Sequence, residues 1–146
     1  MSRSFVKHYA VRFGEIDHAG VMYYPALFHR MHQGFEDFWN EAAQCNYAEI
    51  LSGHNVGFPL VHIDCSFSKP FRFGENLRLE IDIARLGNRS VSFRFRLGQG
   101  EDPEVRAEAT MVLGVIDFEK FAARELPPEL RDLLAPYVFS AVGAQG

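Results

Sequence analysis

Glu15, Asp17 and His18 fall within one short run, Glu15-Ile16-Asp17-His18-Ala19-Gly20-Val21-Met22-Tyr23-Tyr24-Pro25, between a strand-like segment and a helix-like one. A carboxylate placed there can move a proton or attack an electrophilic carbon. The helix start adds backbone N–H groups with no partner and the positive end of the helix dipole, both of which favour negative charge. Loops held between rigid elements are also where catalytic groups concentrate. The residues alone leave Asp17 open between a reacting acid and a structural cap or solvated loop acid. His18 is open between a solvent-facing neighbour and a group that tunes the acid or meets a ligand.

Other reactive side chains are sparser. His29 and His32, spaced i and i+3, present two ligands on one helix face, but no third metal ligand is evident. Glu36 and Asp37 read as the solvated face of the same helix. Cys45 and Cys65 are isolated thiols without Cys-x-x-Cys spacing, which speaks against a disulfide framework and a zinc site and for a reducing compartment. No Gly-x-Ser-x-Gly elbow marks a serine hydrolase, and no Gly-x-x-x-x-Gly-Lys motif marks a nucleoside triphosphatase.

The elements that must position the acid follow from periodicity. Phe5, Tyr9, Val11 and Phe13 alternate with polar positions in a strand predicted to end at Gly14. Leu27, Met31, Phe35, Phe38, Trp39 and Ala42 then recur at intervals of three and four, predicting a helix from Pro25 to about Gln44. Pro25 suits the first helical position, where its missing N–H costs nothing. Gly34 is either a close-packing site or a tolerated exposed glycine. After a glycine-containing connection at Ser52 to Gly57, period-two runs predict four strands, over 61–67, 77–83, 91–97 and 105–115, with turns at Phe73 to Asn76, Leu86 to Asn88 and Gly98 to Pro103. Pro127 and Pro128 introduce a short amphipathic helix through Leu130, Leu133 and Leu134. Long strands joined by short turns, with one long apolar-faced helix, predict an α+β fold in which an antiparallel sheet of about five strands wraps around that helix. Residues 1–139 read as one domain and 140–146 as a frayed tail. Ala84, Val112 and Ile116 carry hydrophobicity onto the sheet's outer face, which calls for cover by a second subunit.

With 146 residues, 47% hydrophobic, the chain can bury a core without a disulfide or a metal. A net charge of −4 disfavours nucleic-acid binding through a broad basic face, and no run approaches eighteen apolar residues, so no membrane partner is expected. The start at Met1 lacks an apolar signal-peptide core, and a cytoplasmic location is expected. Fourteen phenylalanines and five tyrosines are either core or pocket lining.

The run Arg12-Phe13-Gly14-Glu15-Ile16-Asp17-His18-Ala19-Gly20-Val21-Met22-Tyr23-Tyr24-Pro25 resembles the signature segment of the 4-hydroxybenzoyl-CoA thioesterase family of hotdog-fold proteins. That signature is an Asp, two variable residues, a Gly, two apolar residues and aromatics leading into the central helix. The likeness extends through the strand order over roughly residues 5 to 118. It implies a hotdog fold, acyl-CoA thioester hydrolysis and assembly into homodimers and homotetramers with active sites at subunit boundaries. It implies no cofactor beyond the CoA of the substrate. The catalytic position it marks is Asp17, acting as nucleophile or as general base toward water. The backbone N–H that polarises the carbonyl maps to Tyr24, which fits the lack of an N–H on Pro25. By position, His18, Tyr23, His32, Phe58 and Pro59 would meet the substrate, His32 equally fitting the polar side of the helix. The turn Asn88, Arg89 and Ser90 would meet CoA, with the grip on its phosphates shared with Lys69, Arg72 or Arg85. Ala26 and Leu27 stand where many members have Asn and Tyr, and His32 where many have an acid, which speaks against a 4-hydroxybenzoyl substrate in particular; the acyl group is expected to be aromatic or of short to medium length.

Two other readings use the same fold. A hydratase needs a catalytic His within a His-to-Pro-Gly segment, and His54-Asn55-Val56-Gly57-Phe58-Pro59 lacks the Pro-Gly pair. A non-catalytic module binding acyl thioesters or an acyl-carrier protein would have no need of the Asp17 carboxylate.

Overall fold

The computed structural model describes residues 2–139. Five strands, β1 (Phe5–Ala10), β3 (Leu60–Phe67), β4 (Asn76–Leu86), β5 (Ser90–Gln99) and β6 (Val105–Gly114), form an antiparallel sheet in the order β1-β4-β5-β6-β3. The pairing aligns the apolar positions of neighbouring strands into rows. Phe5, Ile81, Phe95, Ala109 and Cys65 sit side by side across all five strands. Such alignment places every second residue on the face that receives the helix.

That helix, α1, spans Tyr24–Asp37 and buries Leu27, Met31, Gly34 and Phe35. A π turn over Phe38–Ala42 continues it, with the Ala43 N–H donating to the Phe38 carbonyl at 2.9 Å. The regular α-helix is thus shorter than the predicted run to Gln44. The wider turn lets adjacent Phe38 and Trp39 both be fully buried, and Gln44, in the left-handed region at φ 55, ends the segment. Phe35 and Phe38 meet Phe93 edge-to-face, with ring centroids at 5.1 and 5.7 Å. Gly34 is a close-packing site: a Cβ there would stand 2.7 and 2.9 Å from the two Leu79 methyls.

Other departures from the expected elements have local causes. β1 ends at Ala10, because the chain enters a 3-10 turn at Phe13–Glu15 that is closed by Glu15 Oε1 accepting the Arg12 N–H at 2.8 Å. Phe13 therefore leaves the sheet and is 76% exposed, against the expectation that it faces inward. Phe67, the last apolar position of the predicted 61–67 strand, ends the edge strand β3 half exposed, its ring 6.2 Å from Phe28. The segment before Gly57 holds a short helix, α2 (Tyr47–Ser52), whose cap Asn46 accepts the Ala48 N–H at 2.8 Å and which buries Ile50. A second small sheet joins β2 (Val56–Gly57), β7 (Ile116–Asp117) and β8 (Ala122–Ala123). Strands of two residues carry no period for a sequence to display. The helix expected after Pro127 is α3 (Pro128–Leu134), with Leu130 and Leu134 buried. The tail 140–146 lies outside the described residues. Among the described residues, no helix is long and apolar enough to cross a membrane.

The Gly34 contact gives a direct test of this packing. Gly34→Val is expected to lower the melting temperature sharply, at a cost of about 2 kcal/mol or more from overpacking against Leu79 and Ile81. An unchanged melting temperature would show that the helix does not rest on the sheet at this point.

Candidate active site

The acid-bearing loop is a tight reversal. Ile16 and Met22 pair as an antiparallel bridge, the Asp17 N–H donates to the Val21 carbonyl at 3.0 Å, and the Gly20 N–H donates to the Asp17 carbonyl at 3.0 Å. Gly20 sits at φ 82, a conformation that L side chains rarely adopt. Asp17 Oδ1 accepts the Ala19 N–H at 2.8 Å, an Asx turn that fixes the carboxylate's orientation. No hydrogen bond engages Oδ2 among the described residues, and the side chain is exposed.

Tyr23 caps α1, and its N–H donates to the Glu15 carbonyl at 3.2 Å. Tyr24 is the first helical residue, where no preceding turn exists to accept its N–H. Pro25 contributes none, so the helix start presents the Tyr24 donor and the positive end of the dipole together. Asp17, His18 and Tyr23 line one open hollow of about 600 Å³, with Gly14, Ile16 and Ala19.

A second hollow, of about 470 Å³, lies between α1 and the β3–β6 side of the sheet. Phe28, His32, Phe35, Tyr47, Phe58 and Met111 are among its walls. His32 stacks on Phe35 at 6.2 Å and pairs with Glu36 at 3.2 Å. Phe58 stacks on Trp39 at 5.6 Å. Burial pushes the Tyr47 phenol up from its ordinary range, with Glu36 adding to the shift, so it stands as a neutral donor in that wall.

The residues singled out from the sequence, Pro59 apart, therefore fall into three places. Asp17, His18, Tyr23 and the Tyr24 N–H gather at the helix start, whereas His32 and Phe58 line the apolar hollow. Pro59 lines neither; its carbonyl accepts the Gly114 N–H at 2.9 Å. Asn88, Arg89 and Ser90 form the β4–β5 turn, whose carbonyls are tied down by Leu126 N–H on Asn88 at 2.8 Å and Val115 N–H on Arg89 at 3.0 Å. The Arg89 side chain is exposed and makes no ion pair among the described residues. Of the cations expected to support it, Lys69 is paired with Glu104 at 3.3 Å. Arg124 and Arg131 border Asn88 instead, in a cleft of about 380 Å³. Sequence reasoning missed those two arginines, along with Tyr47 and Met111, because they lie outside any motif and reach these hollows only through tertiary folding.

Behind the loop, the Met22 N–H donates to the carbonyl of fully buried Phe71 at 2.8 Å. Arg106 holds that segment: its Nη1 donates to the Pro70 carbonyl and to Glu75 Oε1, both at 2.9 Å, and its Nη2 to Glu75 Oε2 at 3.1 Å. The Arg106 guanidinium holds the Glu75 carboxyl below the ordinary carboxylate range.

One sheet wrapped on one long helix, with an acid-bearing loop at the helix start, is the hotdog arrangement. The chain belongs to the thioesterase-like superfamily, whose profile matches residues 11–134. It is similar to a 1,4-dihydroxy-2-naphthoyl-CoA hydrolase of Nostoc punctiforme, 27% identical over 142 residues, or 97% of this chain and 94% of that protein. It is 35% identical to a hydrolase of the same name from Prochlorococcus marinus over 95 residues, which cover 59% of this chain and 62% of that protein. Among solved structures, a gentisyl-coenzyme A thioesterase superposes with a TM-score of 0.78 at 25% identity, covering 89% of this chain and 99% of the other. A 1,4-dihydroxy-2-naphthoyl-CoA thioesterase from Synechocystis shares the fold, with a TM-score of 0.81, 21% identity and coverage of 91% and 96%. The protein is accordingly a thioester hydrolase by class.

The Glu75–Arg106 pair predicts a pH dependence of stability. A carboxyl held below its unfolded range stabilises the fold fully above the unfolded pKa, and that contribution disappears as pH falls through the folded pKa. Glu75→Gln should cost about 1–3 kcal/mol at neutral pH and should flatten the decline in melting temperature below about pH 4.5. Parallel melting curves for both proteins across that range would exclude the pair as a support of the loop.

Proposed function

We propose that this protein hydrolyses the CoA thioester of an aromatic carboxylic acid, releasing the free acid and CoA, with Asp17 as the reacting carboxylate. The carrying observation is the juxtaposition at the start of α1. Asp17 is oriented through Oδ1 by the Ala19 N–H, Oδ2 is left to react, and the Tyr24 N–H stands at the helix N-terminus. Developing charge on the thioester oxygen would be stabilised there by a donor that needs no reorganisation. Oδ2 either attacks the carbonyl carbon, expelling CoA thiolate and leaving a mixed anhydride for water to cleave, or takes a proton from the attacking water.

An aromatic acyl group is favoured over an alkyl one by the walls of the second hollow, where Phe28, Phe35, Tyr47 and Phe58 offer ring faces and edges. Phe28 lies one turn from Tyr24, with ring centroids 6.1 Å apart, so the hollow begins one helical turn from the Tyr24 donor. The names of the relatives point the same way, toward bicyclic and monocyclic hydroxyaryl thioesters. The narrower assignment to 4-hydroxybenzoyl-CoA has less in its favour, because His32 replaces the acid that many members of that family carry. His18 and Tyr23 would border the thioester, His32 and Phe58 the acyl group, and Asn88, Arg89 and Ser90 the CoA phosphates. We further propose a homodimer that assembles into a homotetramer. β3 is an edge strand with Leu60 and Val61 exposed, and a second copy would cover it.

A panel of aryl- and alkyl-CoA thioesters, with released thiol read by a dye, tests this. Aryl thioesters are expected to turn over fastest. Asp17→Asn, which retains an oxygen for the Ala19 N–H, should keep the fold and lose at least about 100-fold in kcat. Full activity in Asp17→Asn would overturn the role of Asp17. No release from any thioester would favour a binding module.

A further inference from the structure

We infer that Glu15 and Arg30 form a positioning clamp that holds the Asp17 loop in register with the N-terminus of α1. Its effect on turnover rests on the role proposed for Asp17, whereas its effect on the loop does not. Arg30 projects from α1 and donates through Nε to Glu15 Oε2 at 2.8 Å and through Nη2 to Glu15 Oε1 at 3.1 Å. Its Nη2 also donates to the Ala10 carbonyl at 3.1 Å, its Nη1 to Gln33 Oε1 at 3.0 Å, and its guanidinium lies 5.2 Å from the centre of the Tyr9 ring. A planar guanidinium held at so many points has one orientation. The two side chains are only 11% and 16% exposed, so solvent and salt screen the pair weakly.

Glu15 completes the clamp from the other side. Its carboxylate also accepts the Arg12 N–H at 2.8 Å, and its carbonyl accepts the N–H of Tyr23, the residue that caps α1. Glu15 thus ties together the turn after β1, the body of α1 and the helix start, while Arg30 holds the end of β1 at Ala10, and Asp17 follows Glu15 by two positions. The donor and the acid proposed to meet at the thioester lie on the two limbs that Glu15 joins. Neither Glu15 nor Arg30 lines the hollow that holds Asp17, so their part is positioning. Displacement of a reacting group by about 1 Å can cost roughly 100-fold in rate, which sets the scale on which such a clamp matters.

The near-isosteric Glu15→Gln and the charge-deleting Arg30→Met separate positioning from general stability. Each should lower kcat on aryl-CoA thioesters by about 10- to 100-fold with KM within about threefold of the parent. The double variant should lose no more than the worse single one, because both remove the same interaction. Arg30→Lys, which keeps the charge without the fork, should restore part of the loss. Hydrogen exchange of the Asp17, Gly20 and Met22 amides should rise about tenfold or more in both single variants while exchange in the sheet stays unchanged. Unchanged exchange at those amides overturns the clamp, whatever the enzyme does. Independent, multiplicative losses in the double variant overturn it as well. Raised exchange in a protein whose parent releases no CoA would leave the clamp standing and remove the proposed reaction instead.

Discussion

The close approach of α1 to the sheet at Gly34 is the contact on which the rest of this molecule depends. With no Cβ at that position, the helix rests on the Leu79 and Ile81 side chains, and Phe35 and Phe38 reach Phe93 edge-to-face. Each such aromatic pair contributes about 0.5–1.5 kcal/mol beyond the area it buries. The π turn extends the contact through Phe38 and Trp39, which a regular helix would have turned further apart. Because the helix is held along this length, its first turn has a fixed place beside the Asp17 loop. The apolar hollow is the gap left where the helix parts from the β3–β6 side of the sheet.

Charge is distributed to suit that frame. Arg94 and Arg96 pair with Asp82 on the outer sheet face, where Asp82 is only 4% exposed and Phe139 covers the Arg94 guanidinium. Arg78, Arg106, Arg124 and Arg131 donate to backbone carbonyls that close loops, and Arg30 is occupied by Glu15. Most arginines of this acidic chain therefore hold structure, since buried carbonyls and carboxylates need donors. Arg89, by contrast, is exposed and makes neither an ion pair nor a side-chain hydrogen bond among the described residues.

Much of this was legible in the residues. Periods of two and of three to four placed the five long strands and the central helix, because each has one face that must be buried. The Asp17 run was legible too, through the spacing of its acid, glycine and aromatics ahead of Pro25. Elsewhere the local pattern was overridden. Phe13 looks like an inward strand residue, yet the 3-10 turn that Glu15 closes on the Arg12 N–H takes it out of the sheet. Phe67 keeps the strand period but sits on the edge strand β3, which among the described residues pairs only with β6. The separation of His32 and Phe58 from Asp17, and the recruitment of Glu15 to Arg30 across fifteen positions, are tertiary facts with no one-dimensional signal. Glu15 read from the sequence is only a neighbour of the acid; its carboxylate faces the helix.

The proposed reaction turns on where the thioester carbonyl comes to rest. A crystal structure of the Asp17→Asn variant with an aryl-CoA thioester bound would locate it. The carbonyl oxygen is predicted to lie about 2.7–3.1 Å from the Tyr24 backbone nitrogen, with the carbon facing the residue 17 side chain and the aryl ring beside Phe28 and Phe58. A carbonyl bound away from the start of α1, with the aryl group outside the aromatic hollow, would contradict it.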